Sequence, residues 1–90
     1  MDAEQRENFR NAILNVLDQR GSEQFGLAIT AIQIFLGQFG FRASKPDDIR
    51  RELQYLADKK LAVMVGKIIS PENACWRITA DGRDYLALNP

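Results

Sequence analysis

The hydrophobic period of the chain changes at Leu61, and that change limits it to folds that combine helix with sheet. Upstream, Ile49, Leu53, Leu56 and the stem of Lys60 recur at helical spacing, with Ala57 widening the stripe. Asp47, Arg51, Gln54 and Asp58 fall on the opposite face, flanked by Arg50 and Tyr55. Ser44-Lys45-Pro46-Asp47 marks the start of this helix. Ser can cap, Pro takes a first-turn position that needs no N–H, and Asp47 and Asp48 favour the positive helix end. The pattern predicts a helix over residues 46–60. Downstream the period falls towards two, in the β-rich runs Ala62-Val63-Met64-Val65 and Ile68-Ile69, which the turn former Ser70-Pro71-Glu72-Asn73 interrupts. Residues 74–79 then alternate Trp76 and Ile78 on one face with Cys75, Arg77 and Thr79 on the other. A hairpin is predicted, with Trp76 as a core anchor beneath it.

The rest of the chain reads as helix around this unit. Phe9, Ala12, Ile13, Val16 and Leu17 form one apolar stripe on a helix from about residue 3 to 20, with Asp2 and Gln5 as a capping pair and Gly21 at its end. Leu14 falls off that stripe, which places it at the rim, either half-buried or presented to a partner. Residues 24–29 read as a short extended piece. Thr30 and Gln33 fit a capping box for a second helix over 31–38, with Ile32, Phe35, Leu36 and Phe39 on one face and Ile34 on the other. Thr79 caps a short closing helix that ends before Pro90. Ninety residues without a linker or repeat make one domain, residues 1–90, with a modest core.

Composition excludes several kinds of chemistry. Histidine is absent and Cys75 is the single cysteine, so there is no disulfide framework, no clustered metal site and no neutral-pH general base of the usual kind. No cofactor and no metal are expected. Asp47 and Asp48 are explained by the helix end without acid–base chemistry. Gly37 and Gly40 lack the following Lys-Ser or Lys-Thr of a phosphate-cradling loop. An enzyme is not expected. No segment approaches the roughly 18 apolar residues of a membrane span, and the acidic start Met1-Asp2-Ala3-Glu4 is unlike a signal peptide. A cytoplasmic protein is expected. Twelve basic residues balance twelve acidic ones, so any attraction for a polyanion must be local. Residues 42–67 carry seven basic residues against four acidic ones.

The order helix, helix pair, hairpin, closing helix resembles a winged helix-turn-helix domain. The resemblance is carried by Arg50-Arg51-Glu52-Leu53-Gln54-Tyr55-Leu56-Ala57-Asp58-Lys59-Lys60-Leu61-Ala62-Val63, similar to a recognition helix running into the first wing strand. It is carried also by residues 76–86, with their aromatic, aliphatic, Thr, then Gly order. Bacterial repressors of the ArsR, MarR and PadR types, and small phage proteins, have such segments. The resemblance implies an α+β fold with a three-helix core, a two-stranded wing over residues 62–79 and a short closing helix.

It further implies double-stranded DNA as partner and a role in transcriptional control. Arg50, Arg51, Gln54 and Tyr55 would approach bases, and Ser44, Lys45, Lys67 and Arg77 would meet phosphates. Set against this, Asp47 and Asp58 share the outward face with Arg51, Arg50 and Arg51 could equally serve as ion-pair partners, and the wing tip has no basic residue. The winged fold also serves protein contacts, as in an accessory subunit or phage assembly factor. Leu14, Ile34, Leu86 and Leu88 are the apolar candidates for such a partner or for a homodimer.

Overall fold

The computed structural model describes residues 2–21, 25–42, 44–65 and 74–88. These form four helices and three strands in the order α1 (Ala3–Arg20), β1 (Leu27–Ala28), α2 (Ile29–Gln38), α3 (Pro46–Asp58), β2 (Ala62–Val65), β3 (Cys75–Ile78) and α4 (Ala80–Leu88). The fold is α+β, and its sheet is antiparallel with strand order β1-β3-β2. The alternation around Trp76 is realised as expected, with Ala62 opposite Ile78 and Met64 opposite Trp76. Trp76 and Ile78 are buried while Cys75 and Arg77 lie half-buried on the other face.

The expected two-stranded hairpin gains a third strand. Leu27 pairs with Trp76 and Ala28 with Cys75, which makes β3 central. Gly26 permits this approach: its φ is +68°, and a Cβ there would lie 2.4 Å from the Trp76 carbonyl oxygen. Residues 66–73, with Ile68, Ile69, the hairpin tip and Lys67, lie outside the described residues.

α1 is the element on which the others assemble, packing against α2, α3, β3 and α4. Its buried residues therefore span a broad arc, Phe9, Ala12, Ile13, Leu14, Val16 and Leu17. Leu14 is not at a rim: it is 0% exposed, so it is neither half-buried nor available to a partner. A helix covered from several sides has no single stripe, so one-face periodicity underestimates what it buries. Asp2 and Gln5 form the expected capping box.

Two helix starts differ from expectation. α2 begins two residues early, at Ile29, because Ala28 is held in β1 and the helix follows the strand directly. Its N-cap makes no side-chain bond, and Gln33 Nε2 donates instead to the Ser44 carbonyl at 2.9 Å. α3 begins at Pro46, but Ser44 does not cap it; its hydroxyl donates to the Phe41 carbonyl at 2.7 Å, and Lys45 takes the N-cap position without a side-chain bond.

The end of α3 also differs. It stops at Asp58, and Lys60 adopts φ 63°. The Lys60 N–H donates to Ala57 O and the Leu61 N–H to Leu56 O, both at 2.9 Å, the paired bonds of a Schellman ending. Lys60 is exposed, so its stem is not part of the buried stripe; Ile49, Leu53 and Leu56 are.

Thr79 caps α4 as expected, accepting from the Gly82 N–H at 3.0 Å. Among the described residues no helix is long and apolar enough to cross a membrane.

Candidate functional site: the outward face of α3

α3 is amphipathic, and the spacing of residues 49, 53 and 56 turns its apolar side onto α1, α2 and β2. The opposite side is left to solvent. There Asp47, Arg50, Arg51, Gln54, Tyr55 and Asp58 line a shallow, open surface. Within it, Arg50 pairs with Asp47 at 3.2 Å and Gln54 Nε2 donates to Asp58 at 3.2 Å. Arg51 is exposed and forms no ion pair among the described residues. Lys45, just before the first turn, is exposed as well.

Tyr55 is not a free ring at the edge of this face. The Arg10 guanidinium from α1 lies 3.6 Å from its centroid, and the Lys59 ammonium lies 5.8 Å away. Arg10 in turn pairs with Glu52 at 2.5 Å, while Arg6 reaches the other carboxylate oxygen at 3.9 Å. Glu52 is 8% exposed, the one buried charged side chain among the described residues. Its position follows from spacing, since 49, 52, 53 and 56 share one side of a helix. That spacing was the available signal. The arginines that answer Glu52, four residues apart on a different helix, could not be matched to it without the tertiary fold.

The structure thus brings Arg50, Arg51, Gln54 and Tyr55 onto one helix, with Lys45 at its N-cap, and leaves the other expected contacts apart from it. Ser44 is half-buried and occupied with Phe41. Arg77 is on the outer face of the sheet opposite Val63. Lys67 falls outside the described residues.

Of the apolar candidates, Ile34 is 68% exposed on α2 and Leu88 is 82% exposed at the end of α4. Leu86 instead packs against the core, because α4 lies on α1. Among the described residues no cluster of His, Cys, Asp or Glu could hold a metal ion. No family model matches the chain, and no curated protein matches its sequence.

Proposed function

We propose that this is a winged helix-turn-helix domain that binds double-stranded DNA through the outward face of α3, in the manner of a transcriptional regulator. The observation that carries this reading is the division of charge on α3. Its inward carboxylate, Glu52, is buried against arginines of α1, while Arg51 projects to solvent beside the amide of Gln54, with no ion-pair partner among the described residues. Arg and Gln are the side chains that bond guanine and adenine edges bidentately. The strand order, with β1 beside β3 and the β2–β3 hairpin following α3, supports the winged assignment. Arg77 and Lys67 would then meet the backbone from the wing, with Lys45 doing so at the start of α3.

A second reading has its own observation. Asp47 and Asp58 occupy the same face and are bonded to Arg50 and Gln54, while Ile34 is exposed on α2. Those features suit a protein-interaction module, or a homodimer built on Ile34 and Leu88.

An amide NMR titration with a generic duplex, at low and then physiological salt, separates the two. DNA binding predicts shifts confined to residues 44–58 and the sheet that fade as salt rises. Arg51→Ala with Lys45→Ala should weaken them, and Ile34→Asp should not. The absence of shifts at low salt would overturn the DNA reading and leave the interaction module.

A further inference from the structure

Beside the outward face of α3 lies a second, deeper feature. A cleft of about 260 Å³ opens between α1 and α3, lined by Arg6, Phe9, Asp48, Arg51 and Glu52. Resting on the DNA-binding reading above, we propose that this cleft is a clamp for a backbone phosphate of duplex DNA, closed by Arg6 from α1, while Arg51 at its mouth is left for the bases.

The charge distribution favours an anion there. Glu52 is neutralised from the α1 side, because Oε2 is taken by Arg10 and Oε1 faces Arg6. Arg10 is also held over the Tyr55 ring, so its guanidinium is committed. Arg6 has only the loose 3.9 Å contact and is 52% exposed in its side chain, which leaves most of its five N–H donors to solvent. Asp48 sits in the first turn of α3, where the helix end offsets its charge. Arg10 lies outside the cleft and takes up the charge of Glu52, so the two guanidiniums that line it, Arg6 and Arg51, face one further carboxylate, Asp48.

Location identifies the source of the phosphate. Arg51 lines both this cleft and the outward surface of α3. A duplex seated on that surface would carry its sugar–phosphate strand past Arg51 and towards α1. Glu52 is then a positioning residue that holds the α1 arginines against α3. A free phosphate would meet Arg6 in the same way but would leave the outward face of α3, with Gln54, out of binding.

The test is fluorescence anisotropy of a labelled generic duplex over a range of salt, with wild type, Arg6→Gln and Arg20→Gln. Arg20 lies fourteen residues further along α1, roughly 21 Å away, and removes the same charge. Arg6→Gln should lower affinity several-fold at low salt and reduce the slope of log K against log salt by about 1, with the circular dichroism spectrum unchanged. Arg20→Gln should keep the wild-type slope. Equal slopes for wild type and Arg6→Gln overturn the clamp while leaving DNA binding by α3 in place, and equal losses in both variants overturn it as a general charge effect. If wild type does not bind the duplex, the DNA reading itself falls. Movement of the Arg6 side-chain resonances with inorganic phosphate alone would then assign the cleft to a free anion.

Discussion

Thr79 joins the end of α3 to the start of α4, its hydroxyl donating to the Lys60 carbonyl at 2.7 Å while accepting from the Gly82 N–H at 3.0 Å. One side chain therefore holds the reversal after α3 and caps the next helix, and the Thr79 N–H adds a bond to Leu61 O at 3.1 Å. Because β2 leaves this same reversal, the bonds also set where the sheet begins relative to the outward face of α3.

Thr79→Val keeps the shape and removes both hydroxyl bonds. It should cost about 1 kcal/mol, the usual effect of losing a helix cap, and lower Tm by roughly 4–8 °C in a domain of this size. An unchanged Tm would show that water replaces both partners without loss.

Lys60 occupies the left-handed position of the Schellman ending, where a side chain costs roughly 1–2 kcal/mol and glycine is the usual residue. Part of that gain is offset by the greater freedom of glycine in the unfolded chain. Lys60→Gly should raise stability by up to about 1 kcal/mol, seen as a higher urea midpoint with the same m value. Lys60→Ala removes the charge but keeps the strain and should give no gain; if it stabilises equally, charge and not backbone conformation is responsible.

Gly82 is required by contact, not by turn geometry. A Cβ at this position would lie 2.2 Å from Leu61 O and 2.6 Å from Ile78 Cγ1. Gly82→Ala must displace α4 from the sheet, and a loss of about 1–3 kcal/mol is expected despite the better helix propensity of Ala. Stabilisation on denaturant unfolding would mean that α4 shifts freely.

Glu52 and Arg10 form a largely buried pair, so removing one partner should be worse than removing both. Glu52→Gln is expected to cost roughly 1–3 kcal/mol, less than a fully enclosed pair because Arg10 keeps some access to water. Arg10→Met with Glu52→Met should recover most of that loss, apart from the Arg10 contact with Tyr55. Additive single and double variants in chemical denaturation would mean that the two charges do not stabilise each other.

Much of the fold was legible because helix and strand periods are local. Ile49, Leu53 and Leu56, the alternation of Trp76 with Ile78, the Asp2–Gln5 box and the Thr79 cap each lie within a few residues of chain, and each is found where the pattern placed it. The outward face of α3 follows from the same period, so Arg50, Arg51, Gln54 and Tyr55 are legible as its residues from the sequence.

Tertiary structure decided what depends on partners distant in sequence. Leu14 is buried because α1 is enclosed by four other elements, and Leu27 and Ala28 become a strand because β3, almost fifty residues later, offers them a free edge. The capping box at Thr30 was legible but unused, since pairing of Ala28 in β1 started α2 earlier. Helical spacing puts Glu52 on the inward side of α3, but only the fold brings Arg6 and Arg10 to it. Sequence period determines which side of an element is apolar; only packing determines how many neighbours that element has, and so which off-stripe residues are buried and which charges meet.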